Sequence, residues 1–314
     1  MKKYIYSLSI GLMLFCMASC QRDRIESESV IKDSVVEMND FDRWLEVNFL
    51  KPYNIDFVYR YALNESDMGY YTVPADYESS IIYAHLVKYL CIDSYDEIAG
   101  VAFTRSYFPK MFFLIGTWEY RNNGSIVLGT AEAGKKIMLS GVNFLPDVLE
   151  QMEGAELDAY LNKYYIKTIH HEFTHILNQT KVFSDAFKQI TSTTYVADAC
   201  FDTDQYWRGR GYITDYAQSE PREDFAELLS EYVTHDAAWW EEQIKAAADE
   251  TAEVRKTTPS AAEGDKLIQS KIDIVRDYMQ TSWSIDIDEL RDIINRRTAD
   301  VVAGKVDLNT VKIL

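Results

Sequence analysis

The sequence predicts an α+β fold: a small, mostly antiparallel sheet, then one long helix, then a mainly helical C-terminal part. Three observations predict it. Short apolar runs separated by turn residues occupy positions 111–140, a helical period runs from about Ala155 to Gln179, and helical spacing returns from Asp224 onward.

The chain opens with MKKYIYSLSIGLMLFCMASC, in which two lysines precede an apolar run and small residues stand ahead of Cys20. This reads as a signal peptide over residues 1–19, too short for a spanning helix. Met17-Ala18-Ser19-Cys20 resembles the lipobox of lipoprotein precursors, which implies a lipidated Cys20 as the first mature residue. Residues 20–40 are polar and lack an apolar period, so they read as a flexible tether. A single domain is expected over residues 41–314.

Within it, Trp44, Leu45 and Phe49 suggest a short helix, and residues 54–61 alternate as a strand. Ile81, Ile82, His85, Leu86 and Tyr89 recur at helical spacing over Tyr77–Tyr89, which places His85 on a core face as a packing histidine. Strands are expected at Met111–Gly116, Ser125–Leu128 and Lys136–Ser140, with Arg121–Ser125 as a turn; joined by turns, they form an antiparallel set most simply. Beyond the long helix, further helices are expected at Asp224–Tyr232, near Gly264–Gln280 and near Ile287–Arg296.

Composition narrows the function. The formal charge of −18, from 32 basic and 50 acidic residues, excludes nucleic-acid binding through a basic surface. Hydrophobic residues make up 47% of the chain, enough for a sizeable core. No repeat and no glycine-rich phosphate loop after a strand occurs. Apart from Cys16 in the leader and Cys20 in the lipobox, only Cys91 and Cys200 remain; they can pair in an oxidising compartment, but two buried thiols are the commoner arrangement. Trp239-Trp240 could line a sugar or peptide groove.

The informative stretch is Ile166–Gln179, IKTIHHEFTHILNQ, with three of the five histidines. His171-Glu172-Phe173-Thr174-His175 fits H-E-x-x-H. At about 100° per residue the two histidines stand roughly 40° apart and about 6 Å along the helix, so both rings can reach one ion. Glu172 lies beside them, in reach of a water on that ion. Ile169, Phe173, Ile176 and Leu177 fall on the opposite arc, so one face packs while the other presents ligands. A helix with two hydrogen-bonded core histidines would show the same pattern; a third ligand decides. His170 points about 100° away and stays outside the metal shell.

Residues 212–229, YITDYAQSEPREDFAELL, supply candidates. Pro221 suits the first turn of a helix, and Glu223 and Glu227 are four apart on it. One carboxylate can bind zinc while the other accepts an N–H from a ligating histidine. Glu231 and His235 continue the ladder, with His235 about 18 Å from Glu223 along the axis, too far to share its metal.

Glu223-Asp224-Phe225-Ala226-Glu227 resembles the E-x-x-A-[DE] signature of glutamate-type zincins, which implies Glu223 as ligand and Glu227 as its support. Tyr216, seven residues before Glu223, resembles in placement the catalytic tyrosine of lethal-factor-type peptidases. Phe49-Leu50-Lys51-Pro52-Tyr53-Asn54-Ile55, the paired His170-His171 and the Glu-Asp-Phe-Ala-Glu run are together similar to the substrate import-associated zinc metallohydrolase lipoproteins, a metallopeptidase family encoded beside TonB-dependent outer-membrane transporters.

That resemblance implies a zincin-like fold and a hydrolase lipid-anchored in the outer membrane, on its periplasmic or surface face, associated with nutrient import and partnered by a TonB-dependent transporter system. With the spacing it implies one Zn²⁺ per chain on His171, His175 and Glu223, with water in the fourth position, Glu172 as the base and Tyr216 as an oxyanion donor. The expected substrate is a peptide or protein. Two alternatives stay open at this point: a non-catalytic binding lipoprotein with a vestigial zinc site, and a zinc hydrolase of non-peptide esters or amides.

Overall fold

The computed structural model describes residues 37–62, 65, 70–120, 126–127, 129–132, 136–196 and 206–312. The leader with Cys20, the tether up to residue 36, the Arg121–Ser125 turn, Leu128 and Cys200 lie outside the described residues. Cys91 is buried, and burial pushes its thiol pKa well up.

The first described helix is α1 (Asp40–Leu45), closed by a capping box in which Asn39 Oδ1 accepts from Asp42 N at 2.8 Å and Asp42 Oδ2 accepts from Asn39 N at 2.9 Å. Helical turns continue to Tyr53, and Asn54, at φ 55°, ends them in the left-handed conformation that asparagine tolerates. Strand β1 (Asp56–Val58) comes next. Helices α2 (Tyr77–Leu86), α3 (Asp93–Ala99) and α4 (Val101–Tyr107) then carry the chain back to β2 (Met111–Leu114). His85 packs its ring on Trp44, centroids 4.3 Å apart, as the core histidine the sequence suggests.

Strand β3 (Glu119–Tyr120) pairs with β4 (Ile126–Val127) as a separate antiparallel ribbon; β5 (Gly129–Glu132) and β6 (Lys136–Leu139) join the main sheet, whose order is β1-β2-β6-β5. The mostly antiparallel sheet expected from the turns is corrected here. The β1–β2 and β2–β6 pairs are parallel, and only β5–β6 is antiparallel within this sheet. The helical crossover α2–α4 returns the chain to the same end of the sheet, and β5 lies outside β6 instead of between it and β2. Parallel strands covered on both faces read as continuous apolar runs. Phe112, Leu114, Ile137 and Leu139 join the main core, whereas Phe113, Ile115 and Met138 face a smaller cluster with Val58, Tyr61 and Ala62.

After α5 (Leu145–Gln151), helix α6 (Gly154–Leu161) runs through one wide turn at Asn162–Ile166 into α7 (Lys167–Thr180), giving the long helix that carries the histidine motif. Such a wide turn inserts one residue into the helix and rotates the face presented by the turns beyond it. The C-terminal part is helical: α8 (Asp185–Ile190), α9 (Pro221–Thr234), α10 (Ala237–Thr257), α11 (Gly264–Tyr278) and α12 (Ile287–Val302). The described residues from Asn39 onward pack as one unit. Among the described residues no helix is long and apolar enough to cross a membrane.

Candidate metal centre

Helix α7 is fixed from behind by its apolar arc. Phe173 is fully buried and meets Tyr95 edge-on at 4.9 Å and Phe108 at 4.7 Å. His170 is on this inner side, with Nδ1 3.2 Å from the Tyr95 hydroxyl; burial lowers its pKa to about 3, so it is a neutral packing residue away from the metal site. The opposite face turns His171 and His175 towards α9. That helix starts with Pro221 and has Glu223 in its first turn, where the positive end of the helix dipole favours a carboxylate.

Two imidazoles and one carboxylate meet between the helices. His171 Nε2 and His175 Nε2 are 3.1 Å apart, and Glu223 Oε2 lies 3.0 Å from the first and 3.4 Å from the second. Among the described residues His171, His175 and Glu223 form a group whose ligand atoms all lie within 4.8 Å of one another. Ligands at 2.0–2.1 Å around a tetrahedral zinc stand about 3.3 Å apart, so the triangle has the edge lengths that zinc requires. The donor set, two neutral-capable imidazoles and a carboxylate, is also one zinc accepts.

The surrounding charges suit this arrangement. Burial alone would lower the His171 pKa, but the Glu223 and Glu227 carboxylates push it up to about 10. Burial alone would raise the Glu223 pKa, and His171 and His175 hold it far below the usual carboxylate range. Glu227, a turn further along α9, is buried with Oε1 2.8 Å from His171 Nδ1, an ion-pair distance with the N–H direction imperfectly aligned. Its other oxygen accepts from Lys167 Nζ at 2.8 Å and Thr214 Oγ1 at 2.6 Å. Burial would raise the Glu227 pKa; Lys167 and His171 override it and keep the group ionised.

Glu172 acts electrostatically on both His171 and Tyr216, which places its charge at the same site. Tyr216, half-buried at the start of the short turn Tyr216–Gln218, has its ring centroid 6.2 Å from that of His171. Burial, then the Glu223 carboxylate, raises its pKa, so its hydroxyl keeps its proton. His235 is elsewhere, with Nδ1 3.2 Å from Glu231 Oε2 and its ring stacked on Trp239 at 3.8 Å. Trp240 packs edge-on against Tyr232, and both tryptophans stay partly exposed.

Sequence reasoning did not single out three residues that support the site. Lys167 bridges Glu227 and Glu231 at 2.8 Å each, and it precedes His171 by one helical turn. Thr214 joins Glu227 to the Tyr216 turn. Lys271, on α11, makes a fully buried 2.6 Å ion pair with Asp224, the neighbour of Glu223. Lys167 carried the one available signal, a cation four residues before a motif histidine.

A comparison with curated proteins gives no match. Residues 34–288 match the model of the family described as "Putative zinc-binding metallo-peptidase". A crystal structure of a protein bearing that same description, from Bacteroides caccae ATCC 43185, aligns with a TM-score of 0.69 and 33% sequence identity, over 90% of this chain and 100% of that one. The matched region contains both helices that converge on the donor triangle, and the chain therefore belongs to this family.

Proposed function

We propose that the chain is a zinc-dependent peptidase hydrolysing amide bonds at the site between α7 and α9, with His171, His175 and Glu223 as the ligands of one zinc ion. The triangle of donor atoms, with edges of 3.0, 3.1 and 3.4 Å, carries this reading. Bound zinc supplies a Lewis acid that polarises a carbonyl and lowers the pKa of a ligated water towards about 7.

The chain's own groups do the rest. Glu172 takes the proton of the attacking water and returns it to the departing amine nitrogen as the C–N bond breaks. Tyr216, kept protonated, donates its O–H to the oxygen of the tetrahedral intermediate. Glu227 holds the proton on His171 Nδ1, which leaves the Nε2 lone pair facing the site. His171, His175 and Glu223 would hold the zinc as three protein donors and would leave a water free to join it, as in catalytic zinc sites.

The same proposal extends to location. The leader and Met17-Ala18-Ser19-Cys20 support a mature chain lipidated at Cys20 and anchored in the outer membrane, and the family resemblance supports a role in nutrient import beside a TonB-dependent transporter. Cys20→Ala should abolish lipid labelling and membrane retention; unchanged retention with labelling would refute the anchor.

The activity is tested by incubating purified protein with a proteome-derived peptide library, with and without a chelator, and reading cleavage by mass spectrometry. Chelator-sensitive cleavage is the expected result. Bound zinc with no cleaved peptide would favour a hydrolase of other esters or amides, or a binding protein.

A further inference from the structure

Thr214 stands between the two halves of the site. Its Oγ1 donates to Glu227 Oε2 at 2.6 Å and accepts from the backbone N–H of Ala217 at 3.1 Å. Glu227 reaches His171 through its other oxygen, at 2.8 Å. A single hydroxyl thus connects the carboxylate that orients a metal-ligating ring to the short turn that bears Tyr216. Both bonds lie in a largely buried region, where a threonine hydroxyl with one donor and two acceptor sites can satisfy both partners at once and a methyl group can satisfy neither.

We propose that Thr214 is a positioning residue that couples metal occupancy to the placement of Tyr216. Seating zinc on His171 Nε2 fixes the ring, the ring fixes Glu227 through Nδ1, and Glu227 fixes the hydroxyl that caps the tyrosine turn. This rests on the zinc assignment above. Lys167 shares Glu227 Oε2 at 2.8 Å and so holds the carboxylate's charge, but Thr214 alone of the two donors also bonds the turn.

The test uses the full chain and zinc alone, with no substrate. Zinc affinity is measured against a competing chelator, and hydrogen exchange of the segment containing Ala217 is measured with and without zinc. The wild type is expected to show zinc-induced slowing of exchange in this segment; Thr214→Val, with Thr214→Ala as a second variant should the first fail to fold, is expected to weaken zinc binding about tenfold and to lose that slowing, and a zinc-loaded wild type without it overturns the coupling. Thr214→Ser should restore both. Ser219→Ala removes another bond of the same turn, from Ser219 Oγ to Tyr216 O at 2.8 Å, and should leave zinc affinity unchanged. A folded Thr214→Val or Thr214→Ala protein with wild-type affinity and intact zinc-induced protection overturns the coupling and leaves the metal site standing. A wild-type chain that takes up no zinc overturns the metal site itself, and the coupling with it.

Discussion

Glu227 Oε1 lies 2.8 Å from His171 Nδ1, on the side of the ring turned away from Glu223. The two glutamates of α9 therefore serve one histidine differently, Glu223 at the nitrogen that faces the metal site and Glu227 at the nitrogen behind it. Glu223→Ala removes a donor from the triangle and should abolish most zinc binding. Glu227→Ala keeps all three donors and should weaken zinc about 10–100-fold. Zinc titrations of both variants check the order, and a greater loss from Glu227→Ala would reverse the assignment.

A buried ion pair ties α9 to α11. Asp224 and Lys271 are each 1% exposed on their side chains and 2.6 Å apart; Lys271 also donates to Gly211 O at 2.7 Å and sits 4.0 Å from the Tyr212 ring centre. Burial pulls the Lys271 pKa down and the Asp224 pKa up even though each has the other as partner, so the pair is costly to desolvate. Removing one member leaves a buried charge alone. Lys271→Met should lower stability by about 3–5 kcal/mol, and the double variant with Asp224→Asn should recover part of that loss. Denaturant unfolding of the three variants checks it; a double variant no more stable than Lys271→Met would rule out the charge explanation.

The metal-free protein should respond to pH in a characteristic way. His171 has its folded pKa raised from 6.5 to about 10, so its contribution to stability is complete below pH 6.5 and is lost as pH rises towards 10. Glu223 and Glu227 are held below the unfolded value of 4.5, so their contribution is present above pH 4.5 and is lost as pH falls. Burial holds the His170 pKa at about 3, below its unfolded 6.5, so that neutral ring adds stability as pH rises to about 6.5; stability of the metal-free form should therefore peak near pH 6.5 and decline on the alkaline side. Zinc competes with the proton on His171, so added zinc should raise the melting temperature more as pH increases through that alkaline range. Melting curves with chelator and with zinc check it, and an equal zinc effect at both ends would contradict the proton competition.

These charges also show which parts of the site a sequence can carry. His171, His175, Glu223 and Glu227 are legible because each pair occupies one helix, where a four-residue spacing fixes a common face. Helix boundaries were legible for the same reason, as at Gly264 and Ile287. Strand neighbours were not. Whether β2 pairs with β6 or with an intervening strand depends on crossover packing, and the turns between them are equally compatible with either order. Thr214 and Lys271 escaped because their partners are 13 and 47 residues away in the chain, and no local period links them. The unbroken apolar runs at residues 111–115 and 137–139 did hold a hint of two-sided burial, which favours parallel pairing over the antiparallel sheet that turns alone suggest.

Tyr216 is where a role in chemistry separates from a role in metal binding. Its ring lies 6.2 Å from His171, and the raised pKa of its hydroxyl, from burial and then the neighbouring Glu223, keeps the group a donor at any working pH. The Tyr216 hydroxyl also hydrogen-bonds the Glu223 carboxylate, so on the proposed mechanism it would turn from that carboxylate to the substrate oxygen. Tyr216→Phe removes only that hydroxyl. The variant should fold and load zinc as the wild type does, yet lower kcat and kcat/KM together by roughly a hundredfold or more, as befits a contact made only in the transition state. A tyrosine that merely packs predicts the opposite, a lowered melting temperature with near-normal turnover. The comparison needs one cleaved peptide, a zinc assay and a melting curve, and full activity in a zinc-loaded Tyr216→Phe protein would leave Glu172 and the metal to carry the reaction without it.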